Sequence, residues 1–212
     1  EAGSRWILFV AERIAALDGA VVQVVAPPAA VLPLLALGGL LLVLWQGWGR
    51  LVGLAPMAAA LILWSQAGRP DLLVAESGGL LGLMTPEGRA LSKPQGDGFA
   101  ADRWLENDGS ARDQEAAFAL GAAVPHDRIL RIGLGETQIL YVAGKTALAS
   151  VEGCEGAAIL IVTADDPGAR PCDLWDPRRL RASGSLALTE GPEGLRIVTA
   201  ADLAGRRPWT SQ

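Results

Sequence analysis

The spacing of charged residues divides the chain into two parts. Between residues 19 and 68 the only charged residue is Arg50, whereas charges recur regularly from Arg69 onward. A soluble core rarely continues for fifty residues with a single charge. The pattern therefore predicts a membrane segment at residues 1–68 and a water-soluble domain at residues 69–212.

The first element of the membrane segment is an amphipathic helix at residues 4–17. Apolar residues recur there at helical spacing, while the charged residues fall largely off the apolar stripe. The apolar positions are Ile7, Val10, Ala11, Ile14 and Leu17. Such a helix either lies in the membrane interface or packs on other membrane helices, and the sequence favours the second arrangement.

Two apolar runs then predict a transmembrane helical hairpin. Residues 29–45 are near the lower length limit for crossing ~30 Å of hydrocarbon, and residues 51–64 form a shorter run that either spans or re-enters. Trp45 and Trp48 end the first run in the manner of an aromatic belt. Arg50 in the intervening turn favours the cytoplasmic side for that turn, which puts the soluble domain outside the cytoplasm.

The remainder predicts a strand-rich α+β domain. Paired apolar runs separated by glycine-containing turns predict hairpins at residues 72–84, 129–142 and 186–198, and residues 157–163 read as a buried strand. Helices are predicted at residues 99–107 and 110–120, the second opening at Ser110 with Asp113 as its capping partner and Gly121 as its stop. About 140 residues suffice for a core of their own.

Composition excludes several kinds of chemistry. The chain has a net charge of −5, and residues 69–212 hold 15 basic and 20 acidic residues, which is the wrong balance for a surface that grips nucleic acid broadly. A single histidine, His126, predicts no metal site, because a catalytic zinc takes three protein ligands. The sequence AGKT at residues 143–146 has Ile139 where a phosphate-binding loop needs glycine. It predicts a tight turn between strands, and no cofactor is expected.

Several segments together resemble a known family. A helix ending at Gly19-Ala20, GGLLLVLWQGWGRLVGLAP at residues 38–56, RPDLLV at residues 69–74, GFAADRWLENDGS at residues 98–110 and GRRPW at residues 205–209 resemble ComEC-type competence proteins. These are the inner-membrane channels for DNA uptake, and the variant resembled is that of Gram-negative alphaproteobacteria. The order and spacing of the segments carry the resemblance, which covers nearly the whole chain.

The resemblance implies a fold, a location and partners. The chain is then the C-terminal piece of a longer multi-pass inner-membrane protein that imports single-stranded DNA, with a periplasmic soluble domain. Its implied partners are the transported DNA strand, other competence proteins, the lipid bilayer and a second copy of itself. Many members carry a metallo-β-lactamase-like domain with an HxHxDH motif, which this chain lacks. The soluble domain is therefore expected to be a degenerate remnant without hydrolytic activity.

Two other functions remain open alongside the channel part. One is a periplasmic domain that assists the assembly of another polytopic membrane protein. The other is a membrane-tethered nuclease, against which the shortage of histidines argues.

Two residue pairs are candidates for specific roles. Cys154 and Cys172 are expected to form a disulfide if the domain lies in the oxidising periplasm, the alternative being two unrelated buried thiols. Arg178 and Arg179 belong to the densest basic patch and are candidates for DNA contact, although the sequence favours a solvated face that offsets neighbouring acids.

Overall fold

A computed structural model describes residues 2–17, 22–121, 128–166 and 168–205 of the chain. Its α-helices are α1 Ala2–Ala15, α2 Val31–Leu44, α3 Leu54–Ser65, α4 Gly98–Asn107, α5 Gln114–Phe118, α6 Lys145–Ala149, α7 Pro177–Ser183 and α8 Ala200–Ala204. A 3-10 helix, Gly47–Gly53, precedes α3 directly. The strands are β1 Leu72–Val74, β2 Leu81–Thr85, β3 Gly88–Leu91, β4 Ile129–Leu134, β5 Thr137–Val142, β6 Ile159–Val162, β7 Asp173–Trp175, β8 Leu186–Gly191 and β9 Gly194–Thr199.

The N-terminal part is helical and largely apolar on its outside. The segment Gly47–Ser65 is 19 residues long, and among the described residues it is the one helix long and apolar enough to cross a membrane. Helix α2 has 14 residues and spans about 21 Å, which is short of the ~30 Å of a hydrocarbon core. Pro33 and Pro56 both fall in the first turn of their helices, where no N–H partner is lost.

Helix α2 packs against the 3-10 helix and α3 through small residues. Gly38, Gly53 and Ala60 are buried along the contact. A Cβ built on Gly53 would lie 2.5 Å from the backbone oxygen of Gly38, so the two backbones approach too closely for any side chain. Small residues at a close crossing are typical of helix pairs in lipid, where apolar burial between helices gives little driving force.

The part of the chain from β1 onward consists of two packed sheets with helices on both outer faces. The first sheet is antiparallel with strand order β3-β2-β1-β8-β9, and the second has the order β4-β5-β6-β7. In the second sheet β4 pairs antiparallel with β5, while β5, β6 and β7 are parallel. The α+β class predicted from the sequence is correct.

Side-chain alternation explains the layers. Ile159 and Ile161 point into the core between the sheets, whereas Leu160 and Val162 point to the outer face that α6 covers. In the first sheet Leu72 belongs to the inner core and Leu73 packs against the outer cluster beneath α4 and α5. Strands with apolar residues on both faces are expected where a sheet is covered on both sides.

Four local predictions need correction. Helix α5 begins at Gln114 rather than Ser110, because the carboxylate of Asp113 accepts the backbone N–H of Ala116 at 2.8 Å. The second hairpin turns at Gly135, since β4 continues to Leu134.

The other two corrections concern the second half of the domain. The AGKT sequence is not a tight turn between strands: β5 ends at Val142, Gly144 is the N-cap of α6, and α6 starts at Lys145, because the parallel strands β5 and β6 require a crossover. Strands β3 and β7 were not predicted, since each is four residues or fewer and lacks an apolar run.

Replacement of Gly53 by alanine should destabilise the helix pair. The added Cβ would meet the backbone of Gly38, which has no side chain that can move away, at a cost of about 1–3 kcal/mol. Thermal unfolding of the full chain in detergent should show a lower Tm for Gly53→Ala. The matched control is Gly39→Ala on the same helix pair, where nothing lies within 4 Å of the added methyl group. Equal Tm values for the two variants would contradict the close crossing.

Candidate functional site

The most deeply buried charge among the described residues is Arg89 of β3, on the side of the first sheet that faces α4. The residue is 1% exposed, and its guanidinium forms an ion pair with Asp108 through Nε and through Nη2, which lies 3.1 Å from Oδ1. The guanidinium also donates to the carbonyl oxygens of Gly82 and Pro70, each at 3.0 Å. All of these partners are oxygen atoms, and each of the three guanidinium nitrogen atoms donates to at least one of them.

Gly82 provides the room for this arginine. A Cβ at Gly82 would lie 2.9 Å from Cδ of Arg89 and 3.0 Å from the ring of Trp104. The glycine therefore lets the arginine stem pass between the strand and the indole. The close approach of Arg89 and Trp104 explains why a glycine occupies this strand position.

Asp108 extends the contact to the chain that leads into the helix pair. It follows the last residue of α4, and its backbone forms an isolated antiparallel bridge with Val25. The N–H of Ala26 donates to the carbonyl of Asn107 at 2.8 Å. Gly109, at φ +70°, lies so close that a Cβ would come 2.8 Å from the backbone of Val24 and Val25. A side chain at this position would expel the entering segment.

The same segment is fastened to the end of α3. The indole Nε1 of Trp64 donates to the carbonyl oxygen of Val25 at 2.8 Å. The chain entering the helix pair and the chain leaving it are thus joined to each other and to α4. We call the set Val25, Trp64, Arg89 and Asp108 the junction.

An open cleft lies at one end of the two-sheet domain, where the β1–β2 loop meets α4 and α7. Its volume is about 520 Å³, and its lining includes Glu76, Ser77, Asp97, Phe99 and Arg181. The phenyl ring of Phe99 is 79% exposed, and the guanidinium of Arg103 lies 5.5 Å from its centroid. The cleft combines both charge signs with an aromatic surface.

Tyr141 is hydrogen-bonded to the β1–β2 loop, which forms one side of this cleft. Its hydroxyl donates to the carbonyl oxygen of Gly78 at 3.1 Å. Burial first, and the negative charge of Asp97 second, raise the pKa of Tyr141 to about 12. The hydroxyl therefore stays protonated at neutral pH and acts as a structural donor.

Cys154 and Cys172 are joined by a disulfide, with a Cα–Cα distance of 6.2 Å. The bridge ties the loop after α6 to the residue before β7. Arg170 holds the same loop, pairing with Asp166 at 2.6 Å and donating to the carbonyls of Val151 and Gly153. The disulfide is remote in sequence from the junction and from the cleft loops.

The structure places Arg178 and Arg179 on α7 and gives them different surroundings. Arg179 pairs with Asp173, donates to the carbonyl of Leu174, and lies 3.5 Å from the ring centroid of Trp175. Arg178 is 78% exposed and has only a long contact of 3.8 Å with Asp165. Neither lines the cleft, to which the same helix contributes Arg181.

His126 lies outside the described residues, as does most of the closing GRRPW sequence. Within the described ranges, no three His, Cys, Asp or Glu side chains are grouped so that they could hold a metal ion.

Sequence reasoning missed the junction entirely. Asp108 and Gly109 directly follow the helix predicted at residues 99–107, and Arg89 lies beyond the hairpin predicted at residues 72–84. The available signal was an arginine between a glycine and two apolar residues in GRAL, since an arginine flanked in this way must find a partner if the strand is covered.

No protein-family model, curated protein or solved structure matches this chain.

Replacement of Arg89 by methionine should unfold the domain at markedly lower urea concentration. It leaves the Asp108 carboxylate buried without its partner, at a cost of about 3–5 kcal/mol. The control Arg103→Met removes an exposed ion pair and should cost less than about 1 kcal/mol. Urea unfolding of the full chain, followed by tryptophan fluorescence, checks both values. A loss for Arg89→Met as small as that for the control would show that the junction does not stabilise the fold.

Proposed function

We propose that the chain is the C-terminal part of a ComEC-type inner-membrane channel protein that imports single-stranded DNA during natural transformation. The observation that carries the proposal is the junction, which fastens an apolar helix pair to a two-sheet domain through buried polar contacts. A soluble module fixed in this way moves with the membrane helices. The order of segments that resembles ComEC-type proteins supports the specific family.

The location in the proposal is a multi-pass inner-membrane protein with a periplasmic soluble domain. The length and apolar surface of Gly47–Ser65 support insertion, and α2 would cross beside it as the second helix of a hairpin. The segment that leads into α2 and the end of α3 meet where Trp64 contacts Val25, and this end of the helix pair lies on the side of the soluble domain. Arg50, in the turn at the opposite end, favours a cytoplasmic turn, and the Cys154–Cys172 disulfide favours an oxidising compartment for the domain.

We assign the soluble domain an accessory rather than a hydrolytic role. A degenerate metallo-β-lactamase-like remnant should keep its strands and lose its metal ligands, and a two-sheet domain in a chain with one histidine is compatible with that history. The open cleft offers charged and aromatic groups, but its lining includes neither a histidine nor a cysteine to act as nucleophile or zinc ligand.

In this proposal the partners are the transported DNA strand, other competence proteins, the bilayer and a second copy of the protein. Of the two arginines considered for DNA contact, Arg178 is the better candidate, because Arg179 is already engaged by a carboxylate, a carbonyl and an indole.

The test is uptake of fluorescent double-stranded DNA by cells in which the parent gene has been deleted in frame. The deletion should leave DNA in the periplasm with none in the cytoplasm, and the intact gene should restore entry. A gene encoding Arg89→Met should restore it poorly, whereas Arg103→Met should restore it fully, because only the first breaks the junction.

Normal cytoplasmic entry in the deletion strain would reject the channel function and favour a domain that assists assembly of another membrane protein. Full restoration by a gene lacking residues 69–212 would reject a role for the soluble domain in uptake. Loss of periplasmic DNA degradation in the deletion strain, with entry unchanged, would favour the tethered nuclease.

A further inference from the structure

The turn between α2 and α3 carries an unusual group of polar atoms. Arg50 is the only charged residue between residues 19 and 68, and it sits in the 3-10 helix together with Trp48. Trp45, Trp48 and Arg50 are all exposed, the first two by 57% and 88%. We call these three residues the hairpin tip.

The donors of the hairpin tip are free within the described part of the chain. The guanidinium of Arg50 has no ion-pair or hydrogen-bond partner there, and neither indole N–H of Trp45 or Trp48 has an acceptor. No carboxylate lies within thirty residues of Arg50 on its N-terminal side or before Asp71 on its C-terminal side. The tip therefore offers a cation and two neutral donors without any competing anion.

The hairpin tip also forms a shallow pocket. The indole of Trp45 lies against Gly49, where a Cβ would come 3.1 Å from Nε1. Beside it, Gly47, Trp48, Arg50 and Leu51 line a shallow pocket of about 450 Å³. Apolar helix surface, including the exposed Leu44 and Val52, continues directly from the pocket.

We propose that the hairpin tip is a phospholipid-headgroup site, in which Arg50 binds the lipid phosphate and the two indoles lie at the level of the glycerol backbone. A fork of guanidinium donors suits phosphate oxygens, and tryptophan rings prefer the membrane interface. The lipid tails would continue along the apolar helix surface, which distinguishes a phospholipid from a free phosphate ion. An anionic headgroup such as that of phosphatidylglycerol should be preferred, because one arginine at a membrane surface gains about 1 kcal/mol from anionic lipid, or roughly fivefold in affinity.

The inference rests on the proposed function only for the membrane position of the hairpin, and not on DNA import. Flotation of the full chain with membranes tests that position separately. A chain that floats with membranes but fails the lipid test below overturns the headgroup site alone, whereas a chain that does not float overturns the membrane location in the proposed function as well.

The lipid test is native mass spectrometry of the full chain in detergent, titrated with phosphatidylglycerol or phosphatidylcholine. The wild type should retain phosphatidylglycerol, and Arg50→Gln should weaken this binding about fivefold. The control Arg5→Gln, which removes an exposed arginine from α1, should leave it unchanged. Trp48→Phe should weaken binding of both lipids, because it removes the indole N–H and keeps a ring.

Three results would overturn the headgroup site. These are equal phosphatidylglycerol affinity in the wild type and Arg50→Gln, an equal loss in Arg5→Gln, and complete displacement of the lipid by millimolar inorganic phosphate. The last would show that the site takes a phosphate ion without its lipid. Normal unfolding of Arg50→Gln in urea verifies that the variant is folded.

Discussion

The buried ion pair between Arg89 and Asp108 is the constraint on which the rest of the structure depends. Two charges removed from water are costly unless every donor and acceptor is satisfied. Each guanidinium nitrogen atom of Arg89 has an acceptor among one carboxylate and two carbonyl oxygens, those of Gly82 and Pro70. Because its partners belong to β2, to the linker before β1 and to the end of α4, the pair fixes how these three elements meet. A buried apolar residue would fill the space but would not specify that arrangement.

The same contact determines how the two-sheet domain meets the helix pair. Asp108 provides the backbone for the bridge to Val25, and Val25 in turn accepts the indole N–H of Trp64. The close crossing at Gly38 and Gly53 holds the two helices against each other. The turn at Trp48 and Arg50 is therefore also fixed relative to the two-sheet domain. A domain attached only by its linker would be free to rotate relative to the helix pair, whereas one held at both helix ends is not. A rigid attachment of this kind is what the proposed role, an accessory domain beside a channel, requires.

The sequence was sufficient for the features that depend on local pattern. Short apolar runs beside glycine-containing turns identified β1, β2, β4, β5, β8 and β9, and the missing charges identified the helical hairpin. It was insufficient where a partner distant in the chain decides the structure. Strand β7 exists because β6 offers it a parallel edge, and α6 replaces a turn because parallel strands need a crossover. Arg89 and Asp108 are 19 residues apart and on different elements, so no spacing rule joins them. The cleft at Phe99 and Arg181 depends in the same way on the meeting of α4 and α7.

The most direct measurement of the coupling between the two parts is amide hydrogen exchange at Ala26 in the full chain in detergent. Its N–H donates to the carbonyl of Asn107 across the junction and belongs to no helix or sheet. If the junction is rigid, this amide should be protected as strongly as the amides of α4, and Arg89→Met should abolish the protection. Exchange of Ala26 at the rate of a free peptide, while α4 remains protected, would show that the domain is only tethered to the helix pair.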